Sequence, residues 1–313
     1  MADYLRNRLS VFVDSGQRVD NCLSFCDGRE SVVGTEIQCY RLKYPFPAML
    51  GRLAAMISDF KNPIFNRDYG TRIFRRRIRI EKHGRSIVAG LEDTLHAFKL
   101  VVQHDGDVVT AIEGTWLRYP NGTCPGAVGQ FAPYIGKALT AQRTVFRSYS
   151  DSRQQCSHFL DVLGLVFSHA LREEDLRQFD VTVPDIVDGT TWAEIHVNGE
   201  QLHRWQIDSE RVLNPAPVNG RSLYAGFGRW SAEMFEGGSL EAAHVLQMAI
   251  LVSFSGMLDF MAMGARHRNG AVVMETIKGV CYATQPERIE GAVFCHDKRD
   301  FTDADDTMLQ FLK

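Results

Sequence analysis

Four short segments of alternating apolar and polar residues follow one another in this chain, and they constrain its fold more than any other feature. They are residues 77–81, 86–91, 96–103 and 108–116. Asp105-Gly106 lies between the last two, and Asp-Gly between alternating segments is a strong hairpin signal because the turn needs positive φ. The pattern therefore predicts consecutive antiparallel strands.

A second strand-rich stretch, from Phe179 to Val212, contains Asn198-Gly199 and predicts another hairpin. Helical patterns follow each group of strands. The predicted helices are residues 125–139, 151–173, 222–235, 239–263 and 302–312, and residues 271–277 are strand-like. Strands and helices without a regular β-α alternation favour an α+β fold with a mainly antiparallel sheet.

The same patterns predict a main α+β domain over residues 71–263. Residues 1–70 are irregular and are interpreted as an N-terminal extension that packs on this domain, and residues 264–313 as a C-terminal extension. A hairpin, a tryptophan, a proline-containing loop and a helix occur twice, in residues 71–175 and 176–263. An internal duplication of a β-hairpin-plus-helix unit is one interpretation.

Composition bears on whether the protein binds nucleic acid or a membrane, and on its compartment. A net charge of −3 gives no reason to expect nucleic-acid binding, and seven cysteines without a framework fit a reducing compartment. The apolar segment 245–264 is interrupted by polar residues, which favours a buried helix over a membrane span. We expect a soluble cytoplasmic protein, without a membrane partner, for which a homodimer is the default oligomer.

Titratable and nucleophilic side chains concentrate in three blocks, residues 91–96, 118–127 and 155–161. His158 and Asp161 are three residues apart on a predicted helix, so they share a face and could form a general base supported by a carboxylate. A solvated polar face, or a histidine holding helices together, is the alternative. His96 with Glu92 is a second candidate base, although Glu92 and Asp93 should point to opposite sides of an extended strand.

Four further residues are candidates for substrate contacts. Arg118 could bind a substrate acid group, and Tyr119 could donate a hydrogen bond to a developing oxyanion. Turn packing explains Tyr119 equally well. His104 lies beside the Asp105-Gly106 turn, and Trp230 is among the aromatic residues that could line an apolar pocket or simply fill the core.

Cys124 precedes Pro125, which suits the first position of a helix. At the N-cap, the helix dipole would lower the pKa of the Cys124 thiol and make it a nucleophile. A small capping residue is the alternative. Cys156 and His158 are two apart on a helix and point in different directions, so a metal site is disfavoured and Cys156 is interpreted as a core thiol.

The basic run Arg75, Arg76, Arg77 and Arg79 fits one solvated face of a strand better than a phosphate or carboxylate site. The motifs of P-loop, nicotinamide, zinc-protease and serine-hydrolase sites do not occur in the sequence. We therefore expect no cofactor and no metal.

The three blocks resemble a bacterial family of unknown function. The shared pattern is an arginine-rich strand, then L-E-D-x-x-H-x-F, H-D-G, R-Y-P-x-x-x-C-P-G-A and C-x-H-x-x-D, and it covers residues 71–263. The resemblance implies an accessory enzyme in the breakdown of aromatic, steroid or terpenoid compounds. Cofactor-free release of formaldehyde from a lignin-derived dimer is one candidate reaction.

The residues and the resemblance together favour a cofactor-independent lyase or isomerase that removes a proton from a small hydrophobic or aromatic molecule. His158 with Asp161, or His96 with Glu92, would be the base, and Arg118 and Tyr119 would hold the substrate. A thiol-dependent hydrolase or acyl-transfer enzyme using Cys124 is a second hypothesis. A protein that binds an aromatic ligand, or serves as a scaffold, without catalysis is a third.

Overall fold

A computed structural model describes residues 64–259, 262, 278–289, 295 and 297–313. Its centre is one eight-stranded sheet in the order β4-β3-β2-β1-β5-β6-β7-β8, and every neighbouring pair is antiparallel. The strands are β1 (Ile73–His83), β2 (Ser86–Asp93), β3 (Ala97–His104), β4 (Val109–Arg118), β5 (Leu176–Pro184), β6 (Thr191–Val197), β7 (Glu200–Ile207) and β8 (Val212–Asn214). The α+β class and the antiparallel sheet are confirmed.

Helices follow each group of four strands. The α-helices that lie wholly within the described residues are α1 (Arg143–Arg147), α2 (Ser157–His169), α3 (Phe227–Met234), α4 (Gly237–Ser253) and α5 (Pro286–Ile289). Short 3-10 helices at Cys124–Gln130, Ala132–Tyr134, Ser152–Gln154 and Phe254–Met257 connect them to the strands and to one another. Helices α2 and α4 both pack on the sheet, α2 against β1 and β2 and α4 against β5, β6 and β7.

The sheet consists of two four-stranded meanders that meet where β1 pairs with β5, with Ile78 opposite Phe179. Each meander is followed by a helix that packs on the sheet, so the topology of the first half recurs in the second. The hairpin turn between β6 and β7 has positive φ at both Asn198 (50°) and Gly199 (88°), as the dipeptide predicts.

Side-chain alternation assigns the two faces of the sheet. On β1, Phe74, Arg76, Ile78 and Ile80 are buried, while the intervening residues are only half-buried. The buried face joins the helices in one hydrophobic core. The C-terminal residues lie against the opposite face, where Arg75 donates to the carbonyl of Thr302 and Leu312 lies over Gly90.

Two predicted helices are wrong, and three are shorter than expected, including the one predicted at 222–235, which is α3 (Phe227–Met234). Residues 125–139 form 3-10 segments, because Pro125 and Pro133 lack backbone donors and Gly126 and Gly129 are weak helix formers. Residues 302–312 contain only 3-10 turns. The helix expected at 151–173 is the 3-10 turn Ser152–Gln154 followed by α2, and the one expected at 239–263 ends as an α-helix at Ser253.

One helical stretch among the described residues, Gly237–Met257, is long and apolar enough to cross a membrane by length and composition alone. Half of it is buried in the protein, and α4 packs against three strands, which fits the core helix of a soluble protein. The strand expected at 271–277 and most of the N-terminal extension, residues 1–63, lie outside the described residues.

Candidate functional site

Asp93, the last residue of β2, is the centre of a buried polar cluster. Its Oδ2 accepts two hydrogen bonds from Arg76, from Nε at 2.9 Å and from Nη2 at 2.6 Å. Its Oδ1 accepts from the backbone N–H groups of Leu95 and His96, both at 2.8 Å. Burial alone would raise the pKa of Asp93, but the charges of His96 and Arg76 and a hydrogen bond from the His96 ring hold it well below its usual range. The carboxylate is therefore ionised.

The His96 ring is held by the same carboxylate. Nδ1 lies 3.0 Å from Oδ1 of Asp93 and 3.2 Å from Oδ2. Since an ionised carboxylate can only accept, Nδ1 carries the hydrogen, and in the neutral ring Nε2 keeps its lone pair. No hydrogen bond joins this Nε2 to any residue that the structure describes. In this tautomer Nε2 is the ring nitrogen of His96 that can accept a proton.

His158, in the first turn of α2, stacks on His96 with ring centroids 3.9 Å apart and planes inclined by 28°. Its Nε2 is buried without a hydrogen-bond partner among the described residues. Burial, together with the positive charges of His96 and Arg76, holds the pKa of His158 well below its ordinary value. The ring is therefore neutral at physiological pH and provides an uncharged surface against His96.

The expected pairing of His158 with Asp161 is not formed. Oδ1 of Asp161 accepts instead from Arg143 at 3.1 Å and Arg147 at 2.9 Å. Both arginines come from α1, which precedes α2 in the chain. Residues three apart on a helix lie on the same side of it, so the spacing permits the pair. Two neighbouring guanidiniums, however, bind the Asp161 carboxylate more strongly than a neutral imidazole does. His169, at the other end of α2, forms a hydrogen bond with the carbonyl of Asp175.

The expected pairing of His96 with Glu92 is also replaced. Glu92 accepts a hydrogen bond from Arg118 at 3.0 Å. It also accepts one, at 2.6 Å, from the backbone N–H of Leu309 in the C-terminal segment. Glu92 and Asp93 thus point to opposite faces of the sheet, as predicted for adjacent strand residues. His96 has the carboxylate of Asp93 as its partner.

Arg118 is buried and already neutralised. Besides Glu92 it donates to the carbonyl of Asp93 at 2.6 Å, and it lies 3.5 Å from the carbonyl of His96. Its guanidinium also lies over the Phe301 ring. These contacts hold the turn between β2 and β3, which carries His96. Binding of a substrate acid group by Arg118 has no support in this geometry.

Cys124 differs from the expected activated thiol. It is the first residue of a 3-10 helix whose N-cap is Thr123, and it is buried. Burial raises the pKa of its thiol to about 12, with Cys281 and Cys295 near enough to add to the effect. A seven-residue 3-10 segment does not supply the stabilisation of a thiolate that a longer α-helix provides. Cys156 is a buried core thiol, as predicted.

Three candidate substrate contacts lie in different places. Tyr119 packs edge-on against Trp116 with ring centroids 6.0 Å apart, close to the cluster. His104 is at the opposite end of β3 from His96, so it does not join the cluster. Trp230 is buried in the second half of the protein and donates to the carbonyl of Ser222 at 2.9 Å. Only Tyr119 remains near His96.

A cavity of about 280 Å³ lies at the end of β2, although none of Arg76, Asp93, His96 and His158 is part of its wall. Its wall includes Thr94, which follows Asp93 in the chain, and Phe74, whose ring lies 5.8 Å from the guanidinium carbon of Arg76. The charged residues that line it are Arg72, Lys298, Arg299, Asp68 and Asp300. Two of the three cations also face carboxylates outside the wall, Arg72 with Asp185 at 3.4 Å and Arg299 with Glu92 at 3.5 Å.

Arg76 is the residue that sequence reasoning missed. The pattern of the basic run predicts one solvated face, whereas Arg76 points away from Arg75 and Arg77 and is only 2% exposed. A signal was present: Phe74, Arg76, Ile78 and Ile80 form one alternating set, so Arg76 occupies a core-facing position. A buried arginine requires a partner, and the strand register supplies it by placing Arg76 opposite Asp93.

No group of three or more His, Cys, Asp or Glu side chains among the described residues is arranged to hold a metal ion. No family model, no curated protein and no solved structure matches the chain.

Proposed function

We propose that the protein is a cofactor-independent acid–base enzyme, a lyase or isomerase, in which Nε2 of His96 removes a proton from a small aromatic acid. The bond from His96 Nδ1 to Asp93 supports this most directly. A buried carboxylate on one nitrogen orients the ring and stabilises the imidazolium that forms when the other nitrogen takes a proton. Arg76 keeps that carboxylate ionised.

The surroundings of His96 support the substrate class. The cavity at the end of β2 is lined by Arg72, Lys298 and Arg299, whose side chains can pair with a carboxylate. Phe74 is part of the cavity wall, and the ring centroid of Trp116 lies 6.5 Å from that of His96. Rings in these places would pack against an aromatic body. Tyr119, near Trp116, is the candidate donor to a developing oxyanion.

Loss of formaldehyde from a hydroxymethyl side chain of a lignin-derived dimer is one reaction that such a base can start. His96 would take the hydroxyl proton, and the O–H electron pair would form the C=O bond of formaldehyde. The C–C bond then breaks, and its electron pair passes to the remaining molecule, which regains a proton. An isomerase reaction would begin instead with removal of a C–H proton next to the acid or aromatic group.

The thiol mechanism is less favoured, because a thiol with a pKa of about 12 is almost wholly protonated at neutral pH. A ligand-binding protein without catalysis would use the same cavity but would not need Nε2 of His96. Substitution of that ring therefore separates the enzyme from the binding protein.

The test measures proton transfer directly. Wild-type protein is incubated in D₂O with hydroxymethyl-bearing phenylpropanoid dimers and with aryl-substituted carboxylic acids, and deuterium uptake and formaldehyde are followed by mass spectrometry. We expect turnover of at least one class, with a loss of about 10²- to 10⁴-fold in His96→Gln.

His83→Gln is the matched control, since His83 is exposed at the far end of β1 and should keep wild-type rates. Retention of activity by His96→Gln within a few-fold of wild type would exclude His96 as the base. Binding of these acids by the wild-type protein without any exchange or cleavage would favour the non-catalytic reading.

A further inference from the structure

A second and larger cavity, of about 560 Å³, lies among the helices. Residues of α1 and α2 line one side of it, and residues of α3 and α4 line the other. None of the cluster residues Arg76, Asp93, His96 and His158 contributes to its wall. Its volume is within the range of small-molecule sites, about 300–1,000 Å³.

Much of the wall is apolar or open. Phe146, Leu165, Leu240 and Val245 contribute side chains. Gly228 is also part of the wall, and a Cβ built on it would meet nothing within 4 Å. An apolar body of the size of an aromatic ring can therefore lie between the helices without displacing a side chain.

Asp161 is the polar feature that points to a particular ligand. Arg143 and Arg147 both donate to its Oδ1, whereas its Oδ2 is buried without a hydrogen-bond partner among the described residues. A buried carboxylate oxygen left unpaired is costly, because it has lost water without gaining a donor. A ligand hydroxyl at this position would supply the missing donor.

The charges of the cavity wall indicate which chemical group lies at the other end of the ligand. Arg143, Arg147 and Arg172 face Asp161 and Glu241, which leaves one positive charge in excess. His244 adds none at neutral pH, because burial and Arg143 lower its pKa to about 4. The side chains of Arg143 and Arg147 are 37% and 34% exposed, so they can still be reached by a carboxylate.

We propose that this cavity binds a hydroxylated aromatic monocarboxylic acid. The ring would lie between α2 and the two later helices, the hydroxyl would donate to Oδ2 of Asp161, and the carboxylate would pair with Arg143 or Arg147. This ligand site is separate from the His96 cluster and does not depend on the function proposed for it.

The probe is 4-hydroxycinnamate, titrated by calorimetry into the full-length chain. Cinnamate lacks the hydroxyl and 4-hydroxycinnamyl alcohol lacks the charge. We expect 4-hydroxycinnamate to bind in this cavity and each analogue to bind there about tenfold more weakly, the loss of one charge-assisted hydrogen bond or ion pair. Asp161→Asn should reduce the affinity for 4-hydroxycinnamate to that for cinnamate, while Asp188→Asn, outside the cavity, should leave it unchanged.

Two variants test the location without touching the buried interior. Ala232 lines the cavity from an exposed position of α3, so Ala232→Trp should block binding, whereas Met234→Trp on the same helix should not. His96→Gln should bind as wild type does. The assignment is overturned by no binding of 4-hydroxycinnamate at millimolar concentration, by full affinity in Ala232→Trp, or by loss of binding in His96→Gln alone.

Discussion

The imidazole of His158 stacks on that of His96 at 3.9 Å, while Asp93 holds Nδ1 of His96 from the side. Two stacked imidazoles this close do not both carry a charge, and burial keeps His158 neutral. Asp93, paired with Arg76, can stabilise a positive charge on His96 alone. The arrangement therefore favours one histidine as the group that gains a proton.

Replacing Asp93 with Asn should destabilise the protein by about 3–5 kcal/mol, because it leaves the buried Arg76 charge without its partner. The measurement is the free energy of unfolding in urea at pH 7. Asp180→Asn is the matched control, since Asp180 pairs with the neighbouring Arg77 on the other, half-exposed face and should cost only about 0–1 kcal/mol.

Asp93 should also make the protein sensitive to acid. Its folded pKa is far below the unfolded value near 3.9, so its contribution to stability is complete above that value and is lost as the pH falls below it. Asp93→Asn should show a shallower fall in stability between pH 5 and 3 than wild type. Equal losses of unfolding free energy at pH 7 in Asp93→Asn and Asp180→Asn would mean that the Arg76–Asp93 ion pair is not buried as described.

His158→Phe should flatten the dependence of stability on pH between 5 and 7. The folded pKa of His158 is depressed below the unfolded value near 6.5, so protons bind preferentially to the unfolded chain in this window and stability falls as the pH falls. Phenylalanine retains the stacking surface without the titration. Melting temperatures that decline equally in the variant and the wild type would contradict a neutral, buried His158.

Deletion of residues 309–313 should destabilise the protein by about 2–4 kcal/mol. The deletion removes the buried Leu309 side chain, its N–H bond to Glu92 and the cover of Gly90 by Leu312. Urea unfolding measures the loss, and deletion of Lys313 alone is the control, expected within 0.5 kcal/mol or so of wild type. An unchanged midpoint for the longer deletion would show that this segment does not hold Glu92.

Cys124 should react slowly with iodoacetamide in the native protein at pH 7.5, since its thiol is buried and its pKa is raised. Peptide mapping should find it modified much faster after unfolding in urea, which serves as the internal control. Cys124→Ser should keep any turnover that His96 supports. Fast labelling of Cys124 by iodoacetamide in the native protein, accompanied by loss of turnover, would favour the thiol mechanism.

The strands could be predicted within a few residues because their signals are local. Alternation between 77 and 116 and the turn dipeptides Asp105-Gly106 and Asn198-Gly199 each act over a few positions. The helix expected at 125–139 was wrong because proline and glycine positions outweighed its apolar pattern. Local periodicity also could not show that the residues at 302–312 lie on the sheet in short 3-10 turns.

The partners within the site depend on register and on distant elements. Arg76 and Asp93 are 17 residues apart, and only the β1–β2 pairing places them together. The helical spacing predicts a bond between Asp161 and His158. Instead, Arg143 and Arg147, which lie 18 and 14 residues before Asp161, donate hydrogen bonds to its carboxylate. Spacing along one helix indicates which residues share a side, and tertiary packing decides which of them pair.

The tautomer of His96 is the most direct measurement, because the proposed base needs Nε2 unprotonated and Nδ1 protonated. Long-range nitrogen–proton NMR of protein with ¹⁵N-labelled histidine reports the state of both nitrogens, and His96→Gln assigns the signal. We predict the Nδ1–H form at a pH where the ring is neutral, with a shift toward Nε2–H or a mixture in Asp93→Asn. An Nε2–H form of His96 in the wild-type protein would exclude Nε2 as the proton acceptor.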